Sequence, residues 1–224
     1  MSVPLDEVRR RLAGRPPHLL VDPPPEWRSA GVLVPLLTRP EGLHLVFIRR
    51  GSQVTHHKGQ IAFPGGLREP GDVSLQHTAL REAVEEIALR PEGVEILGRL
   101  DDVWTPSRFV LSSFVASVPP PQQFHPQAVE VDEIFEVPLE DLARPGIFRE
   151  EVVTHEGVPH PIAYFELEGL TIWGATGRLV ARLLEIGFGW ENPGSPWVPG
   201  PPPALWTGSG PQGPPDPAGR GGAA

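Results

Sequence analysis

The sequence predicts an α+β fold, and three observations carry the prediction. Apolar, β-prone runs recur at residues 30–37, 43–49, 94–100 and 109–118. Helical periodicity is confined to a few segments, chiefly the stretch that ends before Pro91 and residues 177–186. With 224 residues, 39% of them hydrophobic, the chain can bury the core of one substantial domain.

Taken in order, residues 4–12 read as a short helix with Leu5, Val8 and Leu12 on one side. Residues 15–26 are proline-rich and are expected to wrap the surface. The runs 30–37 and 43–49 flank Arg39-Pro40-Glu41-Gly42, which reads as a hairpin turn. Arg49, Arg50, His56, His57 and Lys58 then form the densest cationic patch of the chain. It leads directly into Phe63-Pro64-Gly65-Gly66, a tight glycine turn where backbone can approach a metal or phosphate closely.

After the turn and a short loop comes a helix expected to run four to five turns. Asp72 or Ser74 would cap it, since their side-chain oxygens can accept from free amides at its start, and Pro91 cannot continue its ladder. Leu75, Ala79, Ala83, Val84 and Ile87 should form the buried side, with Arg81, Glu82, Glu85 and Glu86 on the other. The three glutamates crowd one turn, where each like-charged pair costs roughly 0.2–0.5 kcal/mol. A solvated helix face would explain such a run. A hard divalent cation would relieve it better, because Mg²⁺ takes carboxylate oxygens and keeps waters for a phosphate substrate.

Farther on, the three prolines from Pro119 end the run 109–118. Residues 151–154 and 161–167 read as strands around Glu156-Gly157. Residues 177–186 read as a helix with Leu179, Leu183 and Ile186 on the core and Gly187 as its stop. From residue 191 onward proline and glycine supply roughly half the residues, a composition that cannot offset the entropy of ordering. The resulting division is a lead-in at 1–29, a main domain at 30–190 and a disordered tail at 191–224.

Composition narrows the function classes. No run is long and apolar enough to span a bilayer, and the first residues lack the apolar core of a signal peptide, so a cytoplasmic protein is expected. The absence of cysteine excludes disulfides and thiolate metal sites. A formal net charge of -9 argues against nucleic-acid binding, which needs a basic surface. An acidic protein acting on an anion needs metal ions or a local basic pocket. Nothing in the sequence sets an oligomeric state.

The segment from Gly66 to Leu89 resembles the Nudix box, in which a glycine, five residues, a glutamate and seven residues precede R-E-U-x-E-E-x-G-U, U being aliphatic. Gly66 matches the glycine, and Arg81-Glu82-Ala83-Val84-Glu85-Glu86 matches the core. The sequence departs from the pattern in having Asp72 for the first glutamate, one residue farther from Arg81, and Ala88 for the late glycine. Upstream, Arg50, Gly59, Phe63, Pro64, Gly65 and Gly66 resemble the signature of the coenzyme A diphosphatase branch. Gly51 stands there for a serine and Thr55 for an arginine. Downstream, Thr105, Ser107 and Phe109 resemble that branch's pocket-shaping T-x-S-G-F segment, with Arg108 for glycine. Residues 129–142 resemble its next strand and short helix, and 170–176 its I-W-G-A-T segment.

The resemblance, which covers about residues 30–188, implies the Nudix fold, an α/β/α sandwich with a mixed central sheet. It implies that Glu82 and Glu86 hold Mg²⁺ or Mn²⁺, helped by Glu85 and a backbone carbonyl at Gly65. Arg81 would orient the carboxylates, Glu85 or Glu130 would serve as general base, and Arg50, His57 and Lys58 would bind substrate. The implied substrate is coenzyme A or an acyl ester, with ADP-ribose or NADH as the enzyme alternative. A non-catalytic nucleotide sensor is the other class, disfavoured because binding alone has no need of clustered metal carboxylates.

Overall fold

The computed structural model describes residues 3–20, 22–23, 25–52, 58–105, 107–155 and 158–195. His56, His57 and Thr55 of the cationic stretch, and residues 196–224 of the expected tail, lie outside these described residues.

A hairpin forms the centre. β1 (Arg28–Arg39) and β2 (Gly42–Arg50) pair antiparallel through Pro40-Glu41, with Arg39 opposite Gly42. Both are buried along most of their length, so they read as continuous apolar runs and lack the alternation of a half-exposed strand. β3 (Ile61–Ala62) adds to β2, and β4 (Gly65–Leu67) adds to the first half of β1. β5 (Glu95–Arg99), β6 (Val103–Trp104) and β7 (Phe109–Val118) follow the box helix, and β7 runs parallel to β1. β8 (Val131–Pro138) closes the other side of β2. The result is an eight-stranded mixed sheet whose main path is β3-β2-β1-β7-β5.

Helix α2 (Leu75–Ile87) covers one face, packing Ala79, Ala83 and Ile87 on Leu33, Leu37, Val46 and Phe114. The opposite face carries Val32, Val34, Leu36, Leu45 and Phe47. Helix α1 (Leu5–Ala13) and helix α4 (Gly174–Phe188) pack on that face. A short α3 (Leu139–Leu142) follows β8. This is the expected sandwich, with one addition: β9 (Phe148–His155), β10 (Val158–Leu167) and β11 (Leu170–Trp173) form a separate antiparallel sheet feeding α4. Trp173 stacks on Tyr164, with centroids 6.1 Å apart. Among the described residues no helix is long and apolar enough to cross a membrane.

Several boundaries differ from expectation. α2 has 13 residues, fewer than four to five turns, because Ala88 turns left-handed at φ 54° well before Pro91. Val84 is 40% exposed and Glu86 only 3%, so the buried stripe is rotated from the one the apolar spacing suggests. Gly187 does not end α4, which runs to Phe188 and is capped by Gly189 at φ 66°. Asn192, Gly194 and Ser195 are bonded to Glu185, to one another and to Glu150, so the first residues beyond 190 lie against α4 and β9. Arg108 is also left-handed, at φ 63°, a conformation that costs a side-chain-bearing residue roughly 1–2 kcal/mol.

Candidate active site

The site is assembled where β4 meets α2. Pro64 accepts the Leu33 N–H at 2.9 Å, and Gly65 and Gly66 pair with Val32 and Gly31. A Cβ at Gly66 would lie 2.4 Å from the carboxyl carbon of Glu82. Glycine therefore lets that carboxylate lie flat against the chain. At Gly65 (φ +158°) a Cβ would lie 2.5 Å from the Gly31 carbonyl, so this position also excludes a side chain. The N–H of Gly65 donates to Glu86 Oε2 at 2.9 Å.

The two glutamates that face the bend are desolvated. Glu86 is 3% exposed, and burial pushes its carboxyl up to about 8. The Gly65 N–H and the charge of Arg50 oppose that rise, while Glu82 and Glu130 add to it. Burial also raises Glu82, against the pull of Arg81, with Glu85 and Glu130 contributing in the same upward direction. Glu85 differs: its side chain is 58% exposed and bonded to Arg81 Nη1 at 3.0 Å.

Arg81 stands between the carboxylates. Its Nη2 reaches Glu82 Oε1 at 2.8 Å and the Leu67 carbonyl at 3.1 Å. Its position is fixed by Asp72, which accepts from Nε and Nη2 of Arg81 at 3.1 Å each. Asp72 also accepts from Thr78 Oγ1 and the Glu69 N–H at 2.9 Å, and lies 2.8 Å from His77 Nδ1. The arginine, followed by these other donors, holds its carboxyl well below the usual range. The helix cap is Ser74, whose Oγ accepts the His77 N–H at 3.1 Å. Asp72 is thus no mere loop residue but the buried partner that seats Arg81. The one-residue shift in spacing gave no sign of this.

Glu130 enters from a second direction. Its loop is tied to the end of α2: the Gln127 N–H donates to the Glu86 carbonyl at 3.0 Å, and the His125 N–H to the Ile87 carbonyl at 3.1 Å. Gln127 in turn accepts the Glu130 N–H, on its backbone carbonyl at 3.0 Å and its side-chain oxygen at 2.9 Å. The Glu130 side chain is exposed. Gly51 donates to the Glu130 carbonyl at 2.7 Å, and a Cβ at Gly51 would lie 2.8 Å from the Val129 carbonyl. The glycine in place of serine therefore lets this loop close on the end of β2.

Among the described residues of the cationic stretch, Arg50 is the member whose charge acts on Glu86. It ends β2 opposite Val131, and among the described residues its buried Nε has no hydrogen-bond partner. Arg49, on the alternate face, lies over the Phe135 ring at 4.9 Å and 3.4 Å from Glu133. Lys58 is exposed in the turn between β2 and β3.

Among the described residues no three histidine, aspartate or glutamate side chains converge into a complete metal cage. The residues still fit a hard divalent cation. Glu82 and Glu86 are hard oxygen donors, both desolvated, and the charge of Glu82 adds to the rise at Glu86. Mg²⁺ characteristically takes one or two carboxylates and completes its shell with water and substrate phosphates.

Residues 27–155 match the NUDIX domain. The chain belongs to the Nudix family. It is 33% identical to an uncharacterised Nudix hydrolase, NudL, of Photorhabdus laumondii over 75% of this chain and 92% of that protein. The NudL of Yersinia enterocolitica is 38% identical over 70% of this chain and 80% of its own. Among solved structures, a C. elegans Ap4A hydrolase binary complex is similar with a TM-score of 0.43 at 18% identity, over 50% of this chain and 80% of that one. The chain is accordingly a Nudix hydrolase, an enzyme that cleaves diphosphate bonds of nucleotide derivatives. Nudix hydrolases generally use divalent ions such as Mg²⁺ or Mn²⁺.

Proposed function

We propose that this Nudix enzyme hydrolyses the diphosphate bond of coenzyme A or its acyl derivatives, giving 3′,5′-adenosine bisphosphate and (acyl-)4′-phosphopantetheine. The observation that carries the chemistry is the pair of desolvated carboxylates, Glu82 and Glu86, laid against the Gly65-Gly66 bend. The substrate class rests on the resemblance at Arg50, Gly59 and Phe63 through Gly66. The catalytic unit is residues 30–190, working in the cytoplasm on a small soluble nucleotide rather than on nucleic acid or a membrane.

The physical problem is charge, because water must reach phosphorus past several anionic oxygens. Glu82 and Glu86, with Glu85 and the Gly65 carbonyl in support, would hold a divalent ion, whose chemistry there would be charge neutralisation and acidification of water. The chain's own groups do the positioning. Asp72 fixes Arg81, and Arg81 holds Glu82 and Glu85 at set angles. Arg50, whose buried Nε has no hydrogen-bond partner among the described residues, would turn its guanidinium to a phosphate oxygen beside Glu86, with Lys58 and His57 following on the same stretch. Glu85 or Glu130, the exposed carboxylates of the group, accepts the proton of the attacking water. Such fixed charges aimed at developing charge are the usual source of most of the rate.

The test is turnover of coenzyme A, ADP-ribose and NADH side by side with Mg²⁺. Coenzyme A should give the highest kcat/KM. A clear preference for either of the others would remove the coenzyme A assignment and leave the diphosphatase.

A further inference from the structure

We propose that His77 is a positioning residue, which holds Arg81 toward Asp72 and so leaves Glu82 free for a divalent ion. The role rests on the metal-dependent diphosphatase reading above. It falls to a residue that the box pattern leaves unspecified, between the acid and the R-E pair.

The placement follows from the start of the helix. Ser74 is the cap, and its Oγ takes up the His77 N–H at 3.1 Å. His77 is therefore the third residue of α2, the place from which a side chain reaches back over the helix start. There it meets Asp72, with Nδ1 2.8 Å from Oδ1. The Asp72 carboxyl is held well below its ordinary range, so it is ionised and only accepts, and Nδ1 carries the hydrogen. The same Oδ1 accepts Arg81 Nε at 3.1 Å. Histidine and arginine thus share one oxygen, with the imidazole on the solvent side: its side chain is 50% exposed, that of Asp72 1%. Thr78 Oγ1 and the Glu69 N–H occupy the other oxygen, Oδ2, at 2.9 Å each.

The consequence passes through one atom, Arg81 Nη2. It lies 3.1 Å from Asp72 Oδ2 and 2.8 Å from Glu82 Oε1. Glu85 draws on Nη1 of the same guanidinium at 3.0 Å. Asp72 on one side and two glutamates on the other therefore compete for one cation. The imidazole shields Oδ1 from water, and an ion pair weakens steeply as water enters. Without the ring, Asp72 is solvated and the balance shifts toward Glu82. A carboxylate held more tightly by arginine is a poorer metal ligand, because the same oxygens must take the ion.

The experiment titrates the full chain with Mn²⁺ alone at fixed pH and follows the EPR signal of the free ion. His77→Ala should raise the Mn²⁺ Kd about fivefold or more, part of the factor of about ten or more that a hydrogen bond to a charged group carries. His77→Asn puts an amide N–H where Nδ1 stands and should restore the Kd to within about twofold of the unmodified protein. In turnover of the best of the three substrates named above, His77→Ala should need more Mg²⁺ for half-maximal rate, with KM for substrate at saturating Mg²⁺ unchanged. An unchanged Mn²⁺ Kd in His77→Ala, or an asparagine no better than alanine, would overturn the role. So would a rate loss that excess Mg²⁺ does not restore and that comes with a lower Tm, the mark of a purely structural contact. An unmodified chain that binds Mn²⁺ and cleaves no diphosphate would overturn the diphosphatase reading, while the Kd comparison still decides the role of His77. A chain that binds no Mn²⁺ would overturn both.

Discussion

Glu86→Gln should make the metal-free protein more stable and the enzyme inactive. Burial holds the Glu86 carboxyl at about 8, against an ordinary 4.5. Between those values the folded chain keeps a proton that the unfolded chain has released, so stability falls as pH rises. One such group contributes a slope of about 1.4 kcal/mol per pH unit. Over that 3.5-unit window the loss from this residue is on the order of 4–5 kcal/mol. It is fully avoided below pH 4.5 and complete above 8. An amide is neutral and its oxygen still accepts the Gly65 N–H, so the variant should lose most of that slope. At pH 8 it should melt higher, by roughly 2–4 °C for each kcal/mol recovered. Turnover with Mg²⁺ should fall by at least about a hundredfold, the scale of the several kcal/mol a positioned ion contributes. Thermal unfolding from pH 5 to 8, with chelator and with Mg²⁺, reads both halves. Mg²⁺ at about a hundred times its Kd should stabilise the unmodified protein by about 2.7 kcal/mol and the variant far less. A variant with an unchanged pH slope, or with near-normal turnover, would refute the reasoning.

Three further outcomes are expected. Gly66→Ala places a carbon 2.4 Å from the Glu82 carboxyl group, so it should lower kcat at least about tenfold while circular dichroism shows the fold retained. Asp72→Asn should loosen Arg81. Because the Asp72 carboxyl is held well below its ordinary 3.8, the stability it adds is complete above that value and fades as pH falls below it, so variant and parent unfolding curves should converge in acid. Arg50→Ala should raise KM for any diphosphate substrate about tenfold or more, and less change than that in initial-rate assays would remove Arg50 from substrate binding.

The central hairpin, both major helices and the glycine bend were legible in the sequence because each rests on local signals: turn residues, caps and apolar spacing. The box motif placed Arg81, Glu82, Glu85 and Glu86 on one helix, and the structure brings Glu82 and Glu86 to the bend. What was not legible depends on tertiary contact. Val84 and Glu86 exchange the environments their polarity suggests, since the bend lies over position 86 and supplies an N–H that an apolar side chain could not use. Asp72 reads as a cap because it precedes a helix. Its partner Arg81 lies nine residues on, a separation that no helical or strand period marks. The tether from Gln127 to the Glu86 carbonyl joins a loop to the last turn of α2, and nothing in the sequence of the loop marks it.

A Cβ at Gly31 would lie 2.2 Å from the Leu75 carbonyl and 2.8 Å from the Ala79 nitrogen. The catalytic helix therefore rests backbone to backbone on β1, with no side chain as a spacer. Position 31 works as a height gauge for the carboxylates, although it touches none of them. Any larger residue there would lift the N-terminal half of α2 like a shim under one end of a beam. The tilt would swing Glu82 and Glu86 away from the bend while every residue of the box stayed in place.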